Sequence, residues 1–212
     1  MKNLLWDLDG TLTDPKVGIL RSIQFALKEF GNEVPEEKDL IWCIGPPLHE
    51  TFQKLIPHSS ESEAWKYVSK YRERFSTIGL YENELIEGIP GLLNDLKKHR
   101  HFVATSKPHV FATKILDHFG IERHFRRVYG SELDGTRANK AQLIAHILEQ
   151  ESLNARDSFM IGDRLHDILG AKENGVSAIG ITWGYGSSEE LQRAGADHIF
   201  NSPTELRLFL ND

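Results

Sequence analysis

The sequence predicts an α/β fold: a mainly parallel sheet with helices on both faces, and a small helical bundle inserted directly after the first strand. Three observations carry that expectation. An apolar run beginning at Leu4 reads as a buried strand almost at the start of the chain. Helical patterning then holds from residue 15 to about residue 82 with no convincing strand between the helices. From about residue 83 onward, short apolar runs alternate with helical stretches, as expected of parallel strands joined by crossover helices.

The first strand runs through Leu4-Leu5-Trp6 and stops at two carboxylates, Asp7 and Asp9, with Gly10 and Thr11 turning the chain. Residues i and i+2 on a strand point the same way, and a turn after Asp7 can aim Asp9 at the same spot from another angle. Asp14 and Pro15 then read as the cap and first turn of a helix. In that helix Val17, Ile19, Leu20, Ile23, Ala26, Leu27 and Phe30 recur at helical spacing and Gly31 is the stop. A second helix is expected over Glu36 to Cys43, broken by Gly45-Pro46-Pro47. Leu48, Phe52, Leu55 and Ile56 mark a third, and a long fourth carries Trp65, Tyr67, Val68, Tyr71 and Phe75 up to Gly79.

Pro90 and Gly91 open the next helix. Phe102 to Thr105 reads as a strand ending at Thr105-Ser106, followed by a helix from about His109 to Phe119 with Gly120 as its stop. Arg127 to Tyr129 is a weaker strand, Ser131 to Asn139 a polar loop, and Lys140 to Glu149 a helix. Ser158 to Gly162, Val176 to Ile181 and His198 to Phe200 read as strands. Arg164 to Asn174 is a helix, and another starts near Pro203. This order gives a Rossmann-like three-layer α/β/α core of residues 1–14 and 83–212, with residues 15–82 as a helical insertion. Right-handed crossovers place the C-terminal ends of all the parallel strands on one rim.

Composition narrows the function. The chain has 212 residues, 40% hydrophobic and 26% charged, as a globular protein does. Its net charge of −6 and the lack of a basic stripe argue against nucleic acid as a partner. Arg123, Arg126 and Arg127 read as a solvated face. The single cysteine, Cys43, leaves no pair for an intramolecular disulfide and sits in an apolar run as a core residue. The sequence shows no secretory leader and no stretch of roughly 20 apolar residues. A cytoplasmic protein, acting away from membranes, is therefore expected.

The rim brings distant groups together. Asp7 and Asp9 end the first strand, and Thr105 and Ser106 end the second. Lys140 opens a helix after the polar loop, and Asp163 and Asp167 follow the strand at Gly162. Each has an ordinary reading alone: an N-cap, a surface lysine, one edge of a helix. Together they need a common reason. Three or more carboxylates cannot crowd together ionised without a compensating cation. An all-oxygen set without a His or Cys cluster suits a hard ion, Mg²⁺ in particular. A lysine and a hydroxyl beside it suit an anionic group whose charge must be stabilised during reaction. A carboxylate free to attack and another able to move a proton complete the set for phosphoryl transfer through an aspartyl-phosphate.

On these residues the chain resembles the haloacid dehalogenase superfamily over essentially its whole length. Asp7-Leu8-Asp9-Gly10-Thr11 matches its first motif, Thr105 the second, Lys140 the third, and Gly162-Asp163 through Asp167 the fourth. Within it, the chain is most similar to the phosphoglycolate phosphatase-like and 5′-nucleotidase-like group. The supporting stretches are Asp9 to Pro15, Ile44 to Leu48, Ile89-Pro90-Gly91, Thr182 to Gly186 and Ala194 to Asp197. One departure is Thr105-Ser106-Lys107, where many members have Thr-Asn-Lys; the hydroxyl of motif two is kept. The resemblance implies that Asp7 is the nucleophile and a metal ligand, and that Asp9 moves the proton while its carbonyl ligates the metal. It implies that Thr105, Ser106 and Lys140 bind the phosphoryl group, that Asp163 completes the Mg²⁺ site, and that Asp167 ligates through water or supports it. Residues 15–82 correspond to the helical cap of such enzymes.

The implied reaction is hydrolysis of a small phosphorylated metabolite, phosphoglycolate or a nucleoside monophosphate, by a monomer or homodimer. Asp9 speaks against a dehalogenase, which has no alkoxide to protonate. A phosphomutase keeps this aspartate and stands as the alternative, and a non-catalytic binding module of the same fold would be expected to have lost one of the core groups. Gly45-Pro46-Pro47 is a candidate substrate loop; Arg21, His49 and Arg137 are candidates for reading the rest of a substrate. The run Trp183 to Gly186 reads as a turn after a strand.

Overall fold

The N-terminal apolar run forms the middle of the sheet in the computed structural model, which describes residues 1–57 and 59–211. Strand β1 (Asn3–Trp6) is buried along its length, as a strand with parallel neighbours on both sides must be. The two-residue strand β2 (Thr13–Asp14) leads to α1 (Lys16–Glu29), a 3₁₀ turn at Glu37–Cys43, α2 (Leu48–Leu55) and α3 (Glu61–Arg74). A π turn at Phe75–Gly79 and strand β3 (Glu84–Leu85) follow, then α4 (Ile89–Asp95) and the long β4 (Arg100–Pro108). The remaining elements are α5 (His109–His118), β5 (Arg127–Ser131), α6 (Lys140–Gln150), β6 (Ser158–Gly162), α7 (Leu165–Glu173), β7 (Ser177–Ile181), α8 (Ser188–Ala194), β8 (His198–Phe200) and α9 (Pro203–Asn211).

Among the described residues the main sheet has the order β5-β4-β1-β6-β7-β8, and each of its pairings is parallel. The chain steps outward from β1 through β4 to β5, then returns to β6 on the other side of β1. That reversal is a topological switch point, and the crevice outside the carboxyl ends of β1, β4 and β6 is where such sheets bind ligands. Leu5, Phe102 and Met160 on these strands pack with Leu143, Ile144, Ile147, Ile168 and Ala171 from α6 and α7 in one buried cluster.

The chain divides into two compact units, Met1–Asp14 with Leu85–Asp212 and the helical Pro15–Glu84. The helical unit has its own core, with Leu20, Ile23, Leu40, Phe52, Val68 and Phe75 all buried. Its α1 runs so close to the π turn that a Cβ on Gly18 would overlap the Gly79 carbonyl. Ser60 caps α3 reciprocally with Glu63, whose carboxylate accepts the Ser60 N–H at 2.8 Å.

Four expectations shift. Asp14 does not cap α1, because its carboxylate accepts the Tyr185 hydroxyl instead. The expected helix at Glu36–Cys43 is a 3₁₀ turn, too short and too tightly wound to lay down an α-helical stripe. The fourth helix changes to a π turn after Arg74. Strand β4 runs past Ser106 to Pro108, with a register shift against β5 between Ala104 and Pro108. A short helix, α8, capped by Ser187, was not anticipated. Cys43 is buried as expected, and burial pushes its thiol up to about 12.

One buried pair in the sheet makes stability pH-dependent. The Trp6 indole N–H donates to His101 Nδ1 at 3.1 Å, and His101 Nε2 lies 2.9 Å from the Leu96 carbonyl. Nδ1 must therefore accept, so the ring is neutral with its proton on Nε2. Burial holds this imidazole below its ordinary 6.5. As pH falls below 6.5 the unfolded chain takes up the proton first. Stability from this site is thus full above that value and is lost as pH falls toward the folded pKa, about 1.4 kcal/mol per unit of depression. Urea unfolding of wild type and His101→Gln at pH 7.5 and 5 should show a smaller acid loss in the variant; equal losses would refute the assignment.

Candidate active site

The site begins where β1 stops. The Asp7 N–H still donates to the Ile161 carbonyl of β6 at 2.9 Å, so the sheet itself fixes Asp7 at the switch point. The next residues wrap around the Leu8 carbonyl, which accepts from the amides of Thr11, Leu12 and Thr13 at 3.2, 2.9 and 3.0 Å. Gly10 sits in that loop at φ 82, where a side chain is disfavoured, and a Cβ there would also run into the Asp163 carboxylate.

Asp163 follows β6 and is fully buried. Thr11 Oγ1 donates to its Oδ1 at 3.2 Å and the Tyr185 N–H to its Oδ2 at 2.8 Å. The Trp183 indole donates to the Thr11 carbonyl at 3.1 Å, and a Cβ on Gly184 would collide with Asp163 Oδ2. The stretch Trp183 to Gly186, expected as a simple turn, is therefore packed against Asp163 and aims it.

Lys140 opens α6 just after its cap Asn139 and is buried. Its Nζ donates to the Ala104 carbonyl at 2.8 Å and pairs with Asp167 Oδ1 at 2.7 Å and Asp7 Oδ1 at 3.0 Å. Gly162 and Gly170 make room for this: a Cβ on the first would overlap Asp167, and one on the second would press on Lys140 at 3.0 Å. Asp167 Oδ2 accepts the Arg164 N–H at 3.1 Å at the start of α7. Asp9 turns the other way, with Oδ2 on Lys107 Nζ at 2.8 Å and Oδ1 buried without a hydrogen-bond partner among the described residues. Thr105 is buried and its Oγ1 accepts the Lys107 N–H at 3.2 Å. Ser106 is only half-buried, and its carbonyl accepts from Ser131 Oγ at 2.9 Å.

Carboxylate oxygens of Asp7, Asp163 and Asp167 lie within 4.8 Å of one another. Burial raises the Asp163 carboxyl well above the usual range, and the charges of Asp167 and Asp7 add to the effect. Asp167 is raised as well, by burial against the opposing pull of Lys140. Burial raises Asp9 too, with Lys107 opposing. Lys140 is held above the ordinary lysine range because its two carboxylate partners outweigh its burial. Four buried carboxylates thus face two buried ammonium groups, Lys107 and Lys140, and with all four ionised the site would carry an excess of two negative charges. Such a set fits a hard divalent cation held by Asp7 and Asp163 with Asp167 beside it.

The other candidates have partners of their own. Arg21 pairs with Glu82 at 3.3 Å and Glu37 at 3.6 Å within the helical unit, and His49 stacks on Trp65 with ring centroids 5.2 Å apart. Arg137, in the loop before Lys140, pairs with Glu132. Sequence reasoning gave Thr11 only a place in the turn, and Lys107 and Tyr185 no part in the site. A signal for Lys107 was present, since it lies two residues beyond Thr105; Tyr185 lay in the supporting stretch Thr182 to Gly186, but its contact with Asp163 is made by its backbone N–H and so does not show in the residue type.

The family described as haloacid dehalogenase-like hydrolase matches residues 4–181. A Pseudomonas aeruginosa protein named 5′-nucleotidase is 50% identical over 210 residues, 98% of this chain and 95% of that protein. A Mycobacterium tuberculosis protein named tyrosine-protein kinase PtkA is 38% identical over 208 residues, covering 96% and 70%. The crystal structure of a predicted phosphatase from Clostridium acetobutylicum superimposes with a TM-score of 0.96 at 39% identity, covering 99% and 98%.

Proposed function

Because the chain belongs to the haloacid dehalogenase-like hydrolases and is a phosphoric monoester hydrolase, we propose that it releases phosphate from a small monoester through an aspartyl-phosphate on Asp7, with Mg²⁺ as cofactor and a nucleoside monophosphate as the leading substrate. The observation that carries this is the pairing of Lys140 with both Asp7 and Asp167 beside Asp163, which fits a nucleophile held next to a cation site. A carboxylate of Asp7 attacks phosphorus, an Asp7 O–P bond forms and the ester P–O bond breaks. Asp9 gives its proton to the departing oxygen. Water then attacks the aspartyl-phosphate, Asp9 takes the water's proton, and phosphate leaves with Asp7 regenerated. Thr105 and Lys140 hold the phosphoryl oxygens where charge develops. Asp7, the Asp9 carbonyl and Asp163 would hold Mg²⁺, which when bound would offset charge on the phosphoryl group.

The nucleotide preference rests on the 50% identical relative named 5′-nucleotidase, and phosphoglycolate is the second candidate from the sequence resemblance. Phosphate release from 5′-nucleotides, phosphoglycolate and sugar phosphates, compared as kcat/KM with Mg²⁺ and in chelator, tests it. The expected result is Mg²⁺-dependent release with the highest ratio on nucleotides. Undiminished activity in excess chelator would rule out the metal role, and interconversion of a sugar phosphate without phosphate release would make it a mutase.

Metal binding has a readout free of turnover. At one hundred times its Kd, Mg²⁺ should add about 2.7 kcal/mol to stability, roughly 5–10 °C in Tm for a chain of this size. Asp163→Asn should melt at one temperature with or without Mg²⁺. An unchanged Mg²⁺ shift in that variant would remove Asp163 from the metal site.

A further inference from the structure

Lys107 is an ammonium buried beside the reacting groups, and the chemistry above gives it no task. Its Nζ lies 2.8 Å from Asp9 Oδ2, with the lysine side chain 5% and the aspartate side chain 10% exposed. The backbone is shaped to bring it there. Strand β4 continues past Ala104 through an irregular stretch that carries Thr105 and Lys107 near its end. The Lys107 N–H donates to Thr105 Oγ1 at 3.2 Å, while the intervening Ser106 is tied by its carbonyl to Ser131 in β5. On β5, a Cβ at Gly130 would stand 2.5 Å from the Lys107 carbonyl and 2.7 Å from the His109 nitrogen, so only glycine lets β4 pass at this point.

The result is an asymmetric carboxylate. One oxygen of Asp9 is engaged by Lys107, and the other is buried without a hydrogen-bond partner among the described residues. A buried acceptor left unmade is unfavourable, and such groups in functional crevices await a ligand atom. We infer that Lys107 is a positioning residue, fixing Asp9 by Oδ2 so that Oδ1 is presented to the leaving oxygen and then to water. The inference rests on the phosphatase reading above. In the first step the Asp9 proton passes to the leaving oxygen, and the carboxylate so formed lies against Lys107. In the second step that carboxylate recovers a proton from the attacking water.

A lysine that acted only through the phosphoryl group, or only on folding, would affect all substrates alike. One that aims Asp9 acts in proportion to how much the leaving oxygen needs a proton. The experiment compares wild type, Lys107→Met and Lys107→Gln on alkyl and aryl phosphate monoesters graded in leaving-group basicity, with folding followed by circular dichroism. Lys107→Met should lose about 100-fold in kcat/KM on alkyl phosphates and less than about 10-fold on 4-nitrophenyl phosphate. Placed in an Asp9→Asn background, the same change should add no further selectivity among leaving groups. Lys107→Gln reads the same way should the methionine variant not fold. A uniform loss across the series, or no loss, overturns the Lys107 assignment while wild-type turnover keeps the phosphatase reading. Wild type inactive on every monoester overturns both.

Discussion

Replacing Asp7 with Asn should lower phosphate release by roughly 10⁴-fold or more, since the proposed mechanism forms its covalent bond to phosphorus on Asp7. The amide has the carboxylate's shape but is a poor nucleophile. The fold should survive, because Asp7 is fixed by its backbone bond to Ile161 and because Lys140 keeps Asp167 and the Ala104 carbonyl as partners. Removing one of several crowded carboxylates also relieves repulsion with Asp163 and Asp167, so Tm in chelator should match or exceed that of wild type. The measurement is phosphate release from 4-nitrophenyl phosphate alongside a thermal melt. Turnover near the wild-type rate in a folded Asp7→Asn protein would end the nucleophile assignment.

The parts of the fold that could be read from the sequence have local physical causes. Strands β1, β6 and β7 are buried on both faces, so each is a nearly unbroken apolar run that needs no partner to be recognised. Helices α5 and α7 end at Gly120 and Gly175, both at positive φ, and that requirement shows in the residue type. The features that escaped depend on groups far away in sequence. Asp14 looks like a helix cap until Tyr185, 171 residues on, takes its carboxylate. Strand β4 seems to stop at Ser106, because its extension relies on Gly130 of another strand giving way. Asp9, Thr105 and Lys140 could be gathered at one rim from topology alone, but the partner of each could not. That Lys140 bridges Asp7 and Asp167, while Asp9 goes with Lys107, is a matter of ångströms.

That difference predicts which lysine holds the site together. Lys140 supplies charge to Asp7 and Asp167 and a hydrogen bond to the Ala104 carbonyl, all in the interior, with 4% of its side chain exposed. Lys140→Met keeps the aliphatic stem and removes only the ammonium. Two buried carboxylates and a carbonyl then lose their common partner, and breaking a buried ion pair from one side costs about 3–5 kcal/mol. For a chain of this length that is a fall in Tm of roughly 6–20 °C, to be measured in chelator so that no divalent ion can substitute. Activity should fall by about 10³-fold or more, because the charge that pairs with Asp7, and is proposed to steady the phosphoryl group, is gone. Adding Asp167→Asn to Lys140→Met separates the two effects. Neutralising the stranded carboxylate should recover a good part of the lost Tm and none of the lost activity. A Lys140→Met protein that melts like wild type would show that the ammonium is not what balances these acids, and recovery of turnover in the double variant would show that Lys140 serves the fold alone.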